Sequence, residues 1–245
     1  MSHILFCFPF AGGNADFYND IEKYISNDIE VVKMEYPGHG MRHRESLCYD
    51  FHELTDDLIP SIKDKLQKSG SPGYSLFGYS MGSIVVSVII DRIVRESVLP
   101  LPKHIFLAAH EPMSRSELVG FSEDELDEYV KSRTLLFGDV PEKLINNTVF
   151  WKVYLPVYRA DFGMIGRFNF DSLPRDLGLP TTVFYSETDT PCEKISGWNH
   201  YFRDCQYVCY EGDHFFAKSH YEEMADEINE RLIKQCHSEQ ANNHE

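Results

Sequence analysis

Short apolar runs bounded by glycine and proline recur along the chain at residues 4–8, 29–34, 74–78, 105–109, 182–185 and 206–210. Several are continuously apolar rather than alternating, which predicts strands covered on both faces. Longer helical patterns separate them, and this alternation is the signature of a parallel sheet flanked by helices. Residues 81–98 are rich in Ile and Val, so propensity alone makes their first half a strand. Their length, and their position after a Gly-Tyr-Ser-Met-Gly turn, predict a buried helix instead. Near the C-terminus, Tyr221, Met224, Ala225, Ile228, Leu232 and Ile233 form an apolar stripe at helical spacing, and the polar residues 237–245 are expected to fray.

Between the fourth and fifth predicted strands lie about seventy residues, far more than a crossover needs. An insertion is implied, spanning approximately residues 113–170. Ser122 and Glu125 form a capping box ahead of Leu126, Tyr129 and Val130, and Pro141 opens a second helical pattern through Leu144, Ile145, Thr148 and Val149. Two or three helices are therefore expected over the sheet as a lid. With 245 residues and 42% hydrophobic content, the chain is expected to form one α/β domain over residues 1–236.

Charge narrows the range of partners. The formal net charge of -16 repels nucleic acid and anionic membrane surfaces at long range. The first residues lack the basic start and apolar core of a signal peptide, and no apolar stretch is long enough to span a bilayer. The six cysteines are scattered, and the close pair Cys205 and Cys209 lacks a second ligand pair at zinc-site spacing, so both are read as small buried hydrophobes. A cytoplasmic, monomeric protein with reduced thiols and no metal is expected.

The strongest chemical signal is Gly78-Tyr79-Ser80-Met81-Gly82, between a predicted strand and a predicted helix. That context suits a nucleophile elbow, in which small residues on either side let strand and helix approach and the serine hydroxyl stands above the sheet edge. The N–H of Met81, at the helix start, would face an oxyanion formed there. A serine hydroxyl needs a general base, and His214 follows the last predicted strand, where this architecture supplies one. His110 and His200 are rivals by position, and His39 and His43 read as surface or gate residues. The orienting carboxylate should end a late strand. Asp189 fits, with Glu111, one strand earlier, as the alternative; Glu187 and Asp213 read as loop residues. The second oxyanion donor should come from Pro9-Phe10-Ala11-Gly12-Gly13, with the Ala11 N–H preferred to that of Phe10. No Gly-x-Gly-x-x-Gly accompanies it, which argues against a dinucleotide site.

At these residues the chain resembles the type II, or external, thioesterases that accompany nonribosomal peptide and polyketide synthases. The likeness rests on Phe8-Pro9-Phe10-Ala11-Gly12-Gly13, Tyr36-Pro37-Gly38-His39-Gly40 with Arg42, the elbow, Leu155-Pro156 followed by Arg159-Ala160-Asp161-Phe162, and Gly212-Asp213-His214-Phe215. It implies an α/β-hydrolase fold and a Ser80, Asp189 and His214 triad. It also implies hydrolysis of acyl groups from the phosphopantetheine arm of acyl- or peptidyl-carrier proteins, with no cofactor of the enzyme's own. Phe10, His39, Arg42, Arg159 and Phe215 are the candidates for contact with substrate or carrier. Where the family often has arginine after Pro-Gly, this chain has His39, so a guanidinium contact does not carry over there. Carrier proteins are usually acidic, as this chain is, so a local basic cluster drawn from Arg42, Arg44, Arg159 and Arg167 is expected to offset the repulsion. Rival readings are an oxygen-ester hydrolase on the same fold and a non-catalytic carrier-binding scaffold.

Overall fold

The computed structural model describes residues 2–71, 73–113, 118, 120–137, 140 and 142–242. Its centre is a sheet of six strands: β1 (His3–Phe8), β2 (Ile29–Lys33), β3 (Tyr74–Tyr79), β4 (Ile105–Ala108), β5 (Thr181–Tyr185) and β6 (Cys205–Cys209). Each predicted run is a strand whose ends fall within one residue of expectation. All neighbours pair in parallel in the order β2-β1-β3-β4-β5-β6.

Alternation along the inner strands sends side chains to two separate cores. On one face Ile4, Phe6, Leu76, Ile105, Leu107 and Val183 pack against α1 (Phe51–Ser69) and α2 (Met81–Glu96). On the other, Leu5, Phe77, Phe106 and Phe184 pack with Tyr18, Ile21, Met224 and Ile228. β1, β3, β4 and β5 are buried along their whole length, whereas β2 and β6, at the two edges, are half-exposed. That edge position corrects the reading of the close cysteine pair: Cys205 is half-buried and Cys209 is exposed, because one side of an edge strand faces solvent.

The Ile- and Val-rich segment is the helix α2, since both sheet and α1 bury it and packing overrides its strand propensity. Helix α1 has no counterpart in the sequence reading, and Pro60 in its interior obscures the pattern. Its signals are nevertheless present: Asp50 caps the start by accepting the His52 N–H, Gly70 ends it at φ 59°, and Phe51, Leu54, Leu58 and Ile62 form the buried stripe.

The insertion between β4 and β5 contains α3 (Glu123–Phe137), α4 (Glu142–Ile145) and α5 (Thr148–Arg167). The capping box forms, with Glu125 Oε2 accepting the Ser122 N–H at 2.8 Å and Ser122 Oγ accepting the Glu125 N–H at 3.3 Å. Pro141, and residues 114–117, 119, 138 and 139 of the expected lid, lie outside the described residues. A short helix α6 (Cys192–Ile195) follows β5, and α7 runs from Tyr221 to Asn242. α7 therefore extends into the segment expected to fray, which holds good helix formers such as Glu239, Gln240 and Ala241; residues 243–245 lie outside the described residues. Among the described residues, no helix is long and apolar enough to cross a membrane.

At the amino ends of the strands, remote from the elbow, His104 is 5% exposed. Its Nε2 lies 2.9 Å from Thr182 Oγ1 and its ring stacks on Phe106 at 4.5 Å. Burial, reinforced by Arg231 and His3, lowers its pKa from 6.5 to about 4. The unfolded chain thus takes up this proton first, so the contribution is complete above pH 6.5 and is lost as pH falls towards 4. We expect wild type to exceed His104→Gln in unfolding free energy at pH 7, the margin shrinking on the order of 3 kcal/mol by pH 4. Urea midpoints of both proteins across this range provide the measurement, and a margin independent of pH would remove His104 as the cause.

Candidate active site

Strand order reverses between β1 and β3, because the chain leaves β1 for β2 on one side and returns to β3 on the other. Loops leaving such neighbouring strands diverge, and a crevice opens at their carboxyl ends. The loop after β1 supplies Phe10 and Ala11 to this crevice, and the turn after β3 supplies Ser80.

Ser80 has φ 52° and ψ -114°, a strained conformation for a residue with a side chain. The glycines around it explain how the turn closes. A Cβ on Gly78 would overlap the backbone of Gly82, and one on Gly82 would overlap the Phe8 carbonyl oxygen. The Ser80 N–H is held by Ala108 O at 2.7 Å, and Ser83 Oγ lies 3.0 Å from Gly78 O and 3.1 Å from Ala108 O. Strand, turn and helix are thereby tied to β4.

Ser80 Oγ lies 3.0 Å from His214 Nε2, and His214 Nδ1 lies 2.9 Å from Asp189 Oδ1. A carboxylate only accepts, so Nδ1 carries the ring proton and Nε2 is left to accept from the serine hydroxyl. The imidazole and carboxylate side chains are 11% and 10% exposed. Their loops are fastened together, since the Ser186 and Thr188 hydroxyls both donate to Gly212 O. The Tyr79 hydroxyl, adjacent in sequence to Ser80, donates to His214 O at 2.7 Å. Glu111 is turned elsewhere: Thr190 Oγ1 lies 3.5 Å from its Oε2, and Lys194 lies 3.9 Å from its Oε1. His110 is buried with its Nδ1 2.6 Å from the Glu111 carbonyl, and His200 is exposed. Asp213 and Glu187 accept from the N–H groups of Phe215 and Cys192 within their loops.

In the loop after β1, the Gly13 N–H is taken by Phe10 O at 2.9 Å and the Gly12 N–H by Asp161 Oδ2 at 2.6 Å. Among the described residues no acceptor takes the N–H of Ala11 or that of Phe10, so both remain candidates for the donor. Met81 begins α2, where N–H groups precede the first intrahelical bonds. The Met81 N–H follows Ser80 directly in the chain, and Ala11, Ser80 and His214 line a cavity of about 30 Å³. Phe10 and Phe215 form its core-side wall, their rings in edge contact at 4.7 Å. Thr134 of α3 and Tyr158 and Phe162 of α5 close it from above.

Three residues expected to contact substrate or carrier lie elsewhere. His39 is buried behind the β1 loop, not at the surface, and borders a separate cleft of about 650 Å³. The Arg42 guanidinium bonds both Asp57 and Glu45, and Arg159 is paired in bidentate fashion with Asp127 of α3. Arg167 donates to Tyr49 O, whereas Arg44 is exposed and, among the described residues, pairs with no carboxylate. The sequence reading assigned no role to Tyr158, Phe162 or Asp161, although the i, i+4 aromatic pair was visible on the lid helix. Among the described residues, no group of three or more His, Cys, Asp or Glu side chains could hold a metal ion.

Fold and site together define an α/β-hydrolase. The thioesterase-domain model matches residues 3–232, and the chain belongs to that family of hydrolases acting on thioesters. It is 30% identical over 201 residues to the rat (Rattus norvegicus) medium-chain S-acyl fatty acid synthase thioesterase, covering 79% of this chain and 73% of that protein. It is 25% identical to the gramicidin S biosynthesis protein GrsT of Aneurinibacillus migulanus, covering 89% of this chain and 84% of that one. Among solved structures, ClbQ of the colibactin pathway superposes with a TM-score of 0.78 at 21% identity, covering 96% and 98% of the two chains.

The elbow contacts predict that Gly82→Ala costs about 1–3 kcal/mol, because the added methyl meets a backbone carbonyl and cannot displace it cheaply. Gly178→Ala, with open space around it, should stay within about 0.5 kcal/mol of wild type. Urea denaturation of the two variants tests the contrast, and equal midpoints would refute it.

Proposed function

We propose that the chain hydrolyses acyl thioesters from the phosphopantetheine arm of carrier proteins, with Ser80 as nucleophile, His214 as general base and Asp189 as the group that orients it. The observation carrying this reading is the unbroken hydrogen-bonded series Ser80–His214–Asp189 on a strained elbow. Names of relatives support the substrate class, one a fatty acid synthase thioesterase and another a gramicidin S biosynthesis protein. No resident cofactor is required, because the phosphopantetheine belongs to the carrier.

In the first half-reaction His214 Nε2 takes the Ser80 proton as Oγ attacks the thioester carbonyl. The Met81 and Ala11 N–H groups receive the oxyanion, and Asp189 stabilises the imidazolium. Collapse breaks the carbon–sulfur bond and the imidazolium protonates the departing pantetheine thiol. Water then attacks the acyl-serine with His214 again as base, releasing the carboxylic acid and restoring the Ser80 hydroxyl. Biologically, such hydrolysis clears aberrant or stalled acyl units from a biosynthetic assembly line. The named fatty acid synthase relative makes a fatty-acyl carrier the second substrate to test. A cytoplasmic setting accords with free Cys7, Cys48, Cys192, Cys205 and Cys209.

Loading peptidyl-, polyketide- and fatty-acyl carrier proteins with a panel of acyl groups, and following release by intact-protein mass spectrometry, tests the substrate class directly. Faster turnover of the matched oxygen ester than of the thioester would favour the rival esterase. Ser80→Ala should lower kcat at least about a thousandfold, as triad removal does elsewhere. Asp189→Asn should cost on the order of 10⁴ in kcat and Glu111→Gln little, since only the ring's partner fixes its tautomer. The reverse ranking in steady-state assays would reassign the acid to Glu111.

A further inference from the structure

The lid helix α5 carries one carboxylate that the proposed chemistry does not use. Asp161 is 1% exposed, and its Oδ2 accepts the Gly12 N–H at 2.6 Å while lying 3.0 Å from His39 Nε2. These contacts join segments far apart in sequence: the loop after β1, the loop after β2, and the lid. The Tyr158 ring of the same helix presses on Gly12, which has φ 73° and no room for a Cβ.

Hydrogen-bond accounting fixes the charge of the pair. His39 Nδ1 lies 2.9 Å from the Pro37 carbonyl, which can only accept, so Nδ1 carries a proton. Nε2 faces Asp161 Oδ2, which already accepts from Gly12. A neutral ring protonated on Nδ1 would set a lone pair against this carboxylate, so a further proton lies between Nε2 and Oδ2, and the greater basicity of imidazole than of carboxylate puts it on the ring. The other charged or titratable neighbours include the buried Cys48 thiol, which burial and, among nearby carboxylates, Asp161 push up. Tyr36 packs edge-on at 5.5 Å and gives its hydroxyl to Pro9 O, and Glu35 accepts from the N–H groups of Ala15 and Met41. His43 and Glu45 border the same cleft as His39. Burial opposes the charge on His39, but Asp161, aided by Pro37 O and Glu35, outweighs it and leaves the pKa raised above 6.5.

We infer that Asp161 and protonated His39 form a positioning pair that fixes the 10–13 loop so that the Ala11 N–H is held ready for an oxyanion. The inference rests on the thioesterase reading of the pocket. Neither residue touches the reacting atoms. Asp161 holds the Gly12 N–H and thereby fixes the peptide next to Ala11, while His39 balances a carboxylate that would otherwise be buried with its charge unmet. Loss of the His39 proton at alkaline pH removes that balance and frees the loop from the lid helix.

The test uses the full chain, hexanoyl-pantetheine as substrate, a fluorophosphonate that labels Ser80 irrespective of acyl preference, and imidazole NMR titration with His39 assigned through His39→Gln. Asp161→Asn should lower kcat and the labelling rate together, by about 10- to 100-fold, below the 10²–10³ cost of deleting an oxyanion donor outright. KM should change less than about twofold, since the loss is confined to the transition state. Wild type should lose kcat at alkaline pH, and this limb should be absent from Asp161→Asn and flattened in His39→Arg, whose charge is permanent. Should His39→Arg fail to fold, the wild-type titration decides: His39 is expected to be protonated at pH 6.5 and to titrate lower in Asp161→Asn. Wild-type kcat and pH profile in Asp161→Asn, or a neutral His39 at pH 6.5 in wild type, would overturn the positioning role alone. A wild type inert to both substrate and fluorophosphonate would overturn the hydrolase reading and the positioning role with it.

Discussion

The approach of the first turn of α2 to the ends of β1 and β3 is the contact on which the rest of the site depends. Gly82 lies against the Phe8 carbonyl and Gly78 against Gly82, at separations no side chain permits. Once helix and strands are that close, the connecting residue has almost no conformational choice and Ser80 is forced to positive φ. The strain is offset by the apolar burial around it, since α2 is covered by both the sheet and α1. An identical turn on a poorly buried helix would relax, and the hydroxyl would leave the reach of His214.

Two consequences of the parallel sheet complete the arrangement. Every strand delivers its carboxyl end to the same edge, so the loops after β1, β3, β5 and β6 meet although Ala11 and His214 are far apart in the chain. Each loop is then fixed by a bond to its neighbour. Ser186 and Thr188 bind the Asp189 loop to the His214 loop, and Tyr79 binds the His214 loop to the elbow. Preorganisation of this kind resides in ordinary hydroxyl-to-carbonyl bonds, outside the three residues that draw attention first.

Much of this was legible in the sequence because the features are local or set by topology. Apolar runs bounded by Gly and Pro mark strands well where both faces are buried, and the elbow, Asp189 and His214 are placed by their position after particular strands. What could not be read has a common cause in contacts between distant segments. Pro60 disrupts the periodicity of α1, and nothing near it announces that tertiary packing tolerates the break. Arg42 and Arg159, read as candidates for a basic docking cluster, are paired with Asp57 and Asp127, carboxylates 15 and 32 positions away that the sequence does not mark as their partners. His39 read as a surface residue because the carboxylate that neutralises it stands 122 positions later.

The lid has to serve two opposed demands, and the structure divides them between its helices. A cavity of about 30 Å³ has room for a water molecule or so, far less than an acyl chain needs, so Tyr158, Phe162 or Thr134 must be displaced before a substrate is bound. Yet α5, which carries two of these residues, is pinned to the core through Asp161, and wholesale lifting of that helix would release the Gly12 N–H and strand a buried charge. Rotamer changes of the two aromatic rings leave that anchor intact. So does movement of α3, which brings Thr134, at the cost of parting Tyr129 from Phe162 and the Arg159 guanidinium from the buried Asp127. The lid helix that holds the loop after β1 is therefore the one that must stay, and the opening that admits an acyl chain falls to its neighbour and to side chains.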